Sequence, residues 1–226
     1  MRTFALELSS EVGSMAWVEN GAVLMEREWP AVTRQRRPVF SDLHLWLQSE
    51  AAPWDRIDRL AVGVGPGAFS GLRLAVSLVR GLSLPDDRPV TAVSSARALA
   101  RSVIKETGAS RVVVLGDARR NELWAGCFTP RDGIVGLRGE WVVEFADKLP
   151  DTLKFPGTVW VTPDWDRIGA ILEKQCPSTV TLIRESRIPR AAMVAGMADD
   201  LSDRGIAGES PVPIYVHPAV SIAPRY

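Results

Sequence analysis

Between residues 3 and 29 the apolar positions fall in short runs broken by turn-forming residues. Thr3–Ser9 alternates and then meets Ser10-Glu11-Val12-Gly13, the pattern of a strand followed by a tight reversal. Ser14–Glu19 and Ala22–Trp29 are two more apolar-rich runs on either side of Asn20-Gly21, the dipeptide that best accepts the positive φ angles of a two-residue hairpin. Three antiparallel strands are therefore expected to open the chain. After the polar, basic stretch Arg34–Pro38, Ser41 is placed to cap a helix with Leu43, Trp46 and Leu47 on one face, ending near Ala51-Ala52-Pro53. Arg59–Gly65 is a nearly continuous apolar run of the kind found in a strand covered on both faces. From Ser70 the period lengthens: Leu72, Ala75, Val76, Val79 and Leu82 share one stripe and Leu74 and Leu78 lie beside it, so this helix is apolar over much of its circumference. Pro89–Val93 reads as a strand, and Ser95–Thr107 as a helix that stops at Gly108.

A second round begins at Arg111–Leu115, followed by Glu122–Phe128 across the polar turn Asp117–Asn121. Trp141–Phe145 and Thr158–Thr162 are further candidate strands, and Trp165–Gln175 and Ala191–Ser202 candidate helices. The restart near Arg111 divides the chain into two lobes of related build, residues 1–108 and a more divergent 109–226.

Composition narrows the classes of function. Apolar residues make up 46% and charged residues 24% of the 226, an ordinary globular balance. Lys plus Arg and Asp plus Glu are 27 each, so there is no global positive field to hold a polyanion, and contact with RNA has to be local or made through a partner. Cys127 and Cys176 stand apart with no CxxC or Cys/His cluster, as expected of two buried, reduced thiols. An acid at Glu7 interrupts the N-terminus too early for a secretory leader, and no window reaches the roughly 20 apolar residues of a membrane span. The expected setting is the cytoplasm, with no membrane contact.

The most informative stretch is Gly63-Val64-Gly65-Pro66-Gly67-Ala68-Phe69-Ser70-Gly71-Leu72-Arg73, which joins the buried strand to the apolar helix. Glycines this dense imply a sharp turn or a close approach to the backbone. Either the helix N-terminus receives a phosphate, or the glycines let strand, loop and helix pack or let a partner dock. The absence of the Lys-Ser/Thr ending of a phosphate loop favours packing or docking.

GPGAFSGLR resembles the GPGSFTGLR signature of the TsaB (YeaZ) family, and the likeness extends to RLAVGVG before it, to Arg80-Gly81-Leu82, to Pro89-Val90-Thr91-Ala92-Val93-Ser94-Ser95, and to Asp117-Ala118-Arg119-Arg120-Asn121-Glu122-Leu123-Trp124, which is similar to the family's DARRGEVY. It runs in order over roughly the first 130 residues. Beyond that it thins to Pro213-Ile214-Tyr215-Val216-His217, similar to the family's closing PxYLR with His217 in place of Arg. The resemblance implies an α/β actin-like (ASKHA, ribonuclease H-like) fold, with two related lobes of mixed sheets flanked by helices. It also implies a scaffold role without catalysis of its own and without a cofactor or metal. The expected partners are a TsaD-like catalytic subunit and a TsaE-like ATPase that together place threonylcarbamoyl groups on tRNA, the chain forming a homodimer when alone and meeting tRNA only through the complex.

In that family the first two helices build the pairing surface, here Ser41–Ala51 and Ser70–Leu84. The resemblance so places Leu43, Trp46, Leu47, Phe69, Leu72, Arg73, Leu74, Ser77, Leu78 and Gly81 at the partner, with Gly65, Pro66, Gly67, Ser70 and Gly71 as the motif loop. A helix apolar on both the Leu72/Val76/Val79 and Leu74/Leu78 stripes has more apolar surface than one sheet covers; the alternative is burial wholly within its own lobe. The catalytic relative carries a metal-binding HxxxH motif whose positions fall here at Ser95 and Leu99, neither of which replaces an imidazole. The two histidines, His44 and His217, are far apart, and His44 reads as a solvated or interface side chain. Where the family usually shows Asp-Thr-Ser-Thr, this chain has Glu7-Leu8-Ser9-Ser10, so Glu7, Ser9 and Ser10 are expected to be the remnant of a nucleotide site, with Glu7 a structural acid at a strand end. Asp117, Arg119, Arg120 and Glu122 form a compact charged set that is either an acid/base pair with an anion clamp or a polar turn with interlobe ion pairs. Arg34, Arg36 and Arg37 are either a local contact for tRNA or, as is commoner for charges in a proline-bounded loop, simply solvated. The competing class is an ATP-dependent or peptidase-like enzyme of the same superfamily.

Overall fold

The computed structural model describes residues 1–30, 38–48 and 54–216. The first sheet comprises β1 (Arg2–Glu7), β2 (Val12–Glu19), β3 (Ala22–Pro30), β4 (Arg59–Gly63) and β5 (Val90–Val93), in the order β3-β2-β1-β4-β5. β1 to β3 form an antiparallel meander, while β4 lies parallel to β1 and β5 parallel to β4. The second sheet has β6 (Val112–Arg119), β7 (Glu122–Arg131), β8 (Ile134–Leu137), β10 (Val159–Thr162) and β11 (Thr181–Ser186) in the order β11-β10-β6-β7-β8, with β9 (Val142–Phe145) paired to β7. It repeats the plan of the first, because β6 to β8 are again antiparallel and β10 and β11 again parallel. The two related lobes of mixed sheets define the actin-like α/β fold.

Local chemistry accounts for most element boundaries. Asn20 and Gly21 have φ of 49° and 82°, the twist that a two-residue hairpin demands. The helix α3 (Ser95–Thr107) is capped by Ser94, whose hydroxyl accepts the Arg97 N–H, and ends at Gly108 in the left-handed region. The helix α4 spans Trp165–Gln175. The helix α1 covers Pro38–Leu47 rather than starting after Ser41: proline suits the first helical position, where its missing N–H has no partner to lose. Its expected end at Ala51–Pro53 lies outside the described residues, as do Arg34, Arg36, Arg37 and His217. Strands β8 and β11 were not anticipated.

One face of the first sheet packs on α1 and α2 (Phe69–Ser83), through a core that includes Phe4, Leu6, Leu60, Val62, Val76 and Trp46. The opposite face carries small side chains, Ala5, Ala16 and Ala61, and on it lies the last helix, α5 (Ala191–Asp203). The second sheet is covered on one side by α3 and on the other by α4. Helices α3 and α5 thus pack between the two sheets, each on the sheet formed mainly from the other half of the chain. The pair between buried Arg59 and half-buried Asp199, joined by Thr3 Oγ1 donating to Asp199 Oδ1 at 2.8 Å, fastens α5 to β1 and β4.

Candidate functional site: an interlobe cleft and the outer face of helix α2

The glycine-rich loop is seated on the turn after β1 by backbone contact. Ala68 N–H donates to the Ser9 carbonyl at 2.7 Å. A Cβ on Gly67 would lie 2.1 Å from that same oxygen, and one on Gly71 2.0 Å from the Leu8 carbonyl, so side chains are excluded where two backbones meet. The loop is also tied to the head of α3: Gly65 N–H donates to Ser95 Oγ at 3.0 Å, and Ser94 Oγ donates to the Gly65 carbonyl at 2.9 Å. Gly65 and Pro66 are buried, and Gly67 and Ser70 are exposed.

This junction forms one wall of a cleft of about 800 Å³. Ser9, Ser10, Glu11, Gly67, Ser70 and Gly71 line it from the first lobe, Asp117, Arg119, Asp164 and Arg167 from the second, and Tyr215 and Val216 close one side. Arg167 on α4 is the hub across it, pairing with Glu11 of the first lobe and with Asp117 and Asp164 of the second. Asp164 also accepts the Asp117 N–H at 2.8 Å. Burial nevertheless pushes its carboxyl above the ordinary carboxylate value, against the hydrogen bond from Asp117 and the charge of Arg167.

Glu7 is fully buried and is not among the residues lining the cleft. Its Oε1 accepts the Ser9 N–H at 2.6 Å, and Oε2 lies beneath Gly63 with no hydrogen-bond partner. Burial raises its pKa, opposed by polar contact with Ser9 and Ser95. Ser10 turns its hydroxyl onto the Val12 carbonyl at 3.0 Å. Ser95 and Leu99 are both buried, Ser95 holding the loop and Leu99 filling the core under α3. Among the described residues, no three His, Cys, Asp or Glu side chains are grouped to hold a metal ion. Cys127 is buried, whereas Cys176 is only half-buried, correcting the expectation of two buried thiols.

In the charged set expected at the β6–β7 turn, Asp117 reaches across to helix α4. Asp117 pairs with Arg119 and Arg167, while Arg119, Arg120 and Asn121 all take left-handed φ and turn the two arginine side chains into solvent. Glu11, Asp164 and Arg167 were missed from the sequence. The available signal was Asp164 directly before a helix, a position favoured by capping residues.

The residues anticipated at a partner surface divide by helix face. Leu72 is buried against the sheet together with Ala75, Val76 and Val79. Leu43 and Trp46 are core residues as well, because with Val39 they form the sheet-facing stripe of α1, and Trp46 stacks on Phe4 with ring centroids 4.5 Å apart. These three are therefore corrected from surface to core. Phe69, Arg73, Ser77, Gly81 and Leu47 are exposed, and Leu74 and Leu78 are half-buried. His44 is exposed on α1, as are Phe40 and Leu45. Ile214 and Tyr215 reach the head of α2: Ile214 N–H donates to the Val64 carbonyl at 2.7 Å and Tyr215 lies against Phe69, centroids 5.2 Å apart.

Two actin-like lobes, a glycine-walled cleft between them and a helix whose outer face is largely exposed among the described residues define the class: a two-lobed α/β protein of actin-like build. A sequence model of the TsaD family, tRNA N6-adenosine threonylcarbamoyltransferase, matches residues 45–154. The tRNA threonylcarbamoyladenosine biosynthesis protein TsaB of Escherichia coli (strain K12) is 30% identical over 182 residues, 75% of each chain. That of Haemophilus influenzae is 31% identical over 122 residues, 53% of this chain and 50% of its own. Among solved structures, YeaZ from Pseudomonas aeruginosa superposes with a TM-score of 0.73 at 28% identity, over 95% of this chain and all of that one. A second Pseudomonas aeruginosa structure, described as similar to peptidase YeaZ, gives 0.76 at 28% identity, over 96% and 99% of the two chains. The chain belongs to the TsaB family.

Proposed function

We propose that this chain is a non-catalytic scaffold subunit in the formation of threonylcarbamoyladenosine on tRNA. It works in the cytoplasm, pairs with a TsaD-type catalytic subunit and a TsaE-type ATPase, self-associates when alone, and reaches tRNA only through the complex. The docking surface is the outer face of α2, with Phe69, Arg73, Ser77 and Gly81, extended by Leu47 of α1. The observation that carries this reading is the bare side of α2: its inner stripe is fully used by the sheet, while its ends present Phe69 and a 79% exposed Leu84, apolar surface of the kind a partner covers.

The sealing of Glu7 supports the absence of catalysis, since an acid cut off from the cleft does not meet a ligand there. The deciding experiment is co-expression with the TsaD-type subunit followed by size-exclusion chromatography, with Phe69→Glu and Ser77→Glu, both exposed on the assigned face, as variants. The wild type is expected to elute with the partner and the variants as folded, unpaired chains; co-elution of both variants at wild-type levels would refute the assigned face. A second reading, an ATP-dependent enzyme, rests on Ser9 and Ser10 lying beside the glycine loop in the cleft. Isothermal titration of the isolated chain with Mg-ATP tests it, tight binding with turnover being the outcome in its favour.

A further inference from the structure

The bare face of α2 carries charge of one sign. Arg73 and Arg80 are both exposed and stand about 10 Å apart along the helix axis at 1.5 Å per residue. Neither is ion-paired with a carboxylate among the described residues, although Arg101, Arg167, Arg187 and Arg190 all are. Arg73 instead lies over the Phe69 ring, 5.1 Å from its centroid. Helix α2 contains no Asp or Glu at all. Beside the arginines the surface is low: Ser77, between them, is small, and a Cβ added at Gly81, just past Arg80, would meet nothing within 4 Å, so another helix axis has room to approach.

We infer that the outer face of α2 is built for an acidic helix of a different protein, with carboxylates about two turns apart on Arg73 and Arg80 and the helix crossing over Ser77 and Gly81. This rests on the reading of the chain as a pairing subunit and specifies the chemistry of the partner. A second copy is a poor substitute. Its α2 brings two more guanidinium groups and no carboxylate, the one acid of α1, Asp42, is half-buried, and of the two acids just past the end of α2, Asp86 is already paired with Arg88. Opposite charges across an interface attract and like charges repel, and salt screens both. Hetero-pairing and self-pairing through this face therefore respond to salt with opposite signs.

The test measures two dissociation constants by analytical ultracentrifugation, for the chain alone and for the chain with its TsaD-type subunit, at 50 and 500 mM NaCl. Hetero-pairing is expected to weaken several-fold at high salt and self-pairing to tighten. Arg73→Glu with Arg80→Glu is expected to weaken hetero-pairing at least tenfold at low salt, and the double lysine variant to keep both the affinity and its salt dependence. Thermal unfolding controls for folding, since both side chains are exposed. If hetero-pairing is strong but indifferent to salt and to charge reversal, the acidic-helix inference is wrong while the pairing role stands. If the wild-type chain and the TsaD-type subunit do not associate at either salt concentration, the pairing role falls and this inference with it.

Discussion

The carboxyl group of Glu7 occupies the space that a side chain at Gly63 would need: a Cβ there would come within 1.8 Å of Glu7 Oε2. An acid at the end of β1 and a glycine at the end of β4 are thus one packing unit, closed from the other side by Ser95. Gly63→Ala is expected to destabilise the chain by about 1–3 kcal/mol, the usual range for overpacking a filled core. Adding Glu7→Ala should recover part of the loss, a non-additivity measured by urea unfolding of the two single variants and the double.

Glu7 also sets a pH dependence. Its folded pKa is raised above the ordinary 4.5 by burial, so the folded state holds this proton more tightly than the unfolded one. The resulting stability is fully present below pH 4.5 and is lost as pH rises through the folded value. Glu7→Gln keeps the acceptor for the Ser9 N–H and removes the buried charge. It should raise the melting temperature at pH 8, by roughly 2–4 °C for each kcal/mol gained in a chain of this size, and flatten this part of the pH profile. A lower melting temperature at pH 8 would mean that the ionised carboxylate is needed.

The glycines of the motif region should separate by what surrounds them. Gly67→Ala and Gly71→Ala drive a methyl group into backbone carbonyls and should each lower stability by about 1–3 kcal/mol. Gly81→Ala meets open space inside a helix and should raise it by about 0.5–1 kcal/mol while weakening association with a partner seated on α2. Denaturant melts paired with a binding titration check both halves.

Asp199→Ala leaves Arg59 buried without its counter-charge and should cost about 3–5 kcal/mol. Replacing the pair together, Arg59→Met with Asp199→Leu, should come close to wild-type stability. Equilibrium unfolding of the three variants tells a bolt made of charge from one made of shape.

Arg167→Met removes the ion pair that crosses the cleft. Because Arg167 is only partly buried, the expected change in stability is below about 1 kcal/mol. The sharper readout is faster amide hydrogen exchange at residues 9–12, freed from α4.

Local signals carried much of the fold. The Asn20-Gly21 hairpin, the span of α3 and its stop at Gly108, and the full span of α4 all follow from contacts within a few residues, which is the range over which turn chemistry and helical period act. The glycine loop was legible in the same way, since glycines this dense require a close backbone approach somewhere. Its counterpart, the Leu8 and Ser9 carbonyls, was not, because more than fifty residues separate them.

What the amino-acid order determined by itself was the alternation of strands and helices, their repeat in two lobes, and the apolar excess of α2. Only the tertiary structure decided that Leu43, Trp46 and Leu72 are core while Phe69 and Arg73 are bare, that α5 returns to the first sheet, and that Arg167 draws Glu11, Asp117 and Asp164 together. The reason is physical: periodicity states that a helix has an apolar side, but which residues that side covers depends on neighbours brought in from distant parts of the chain.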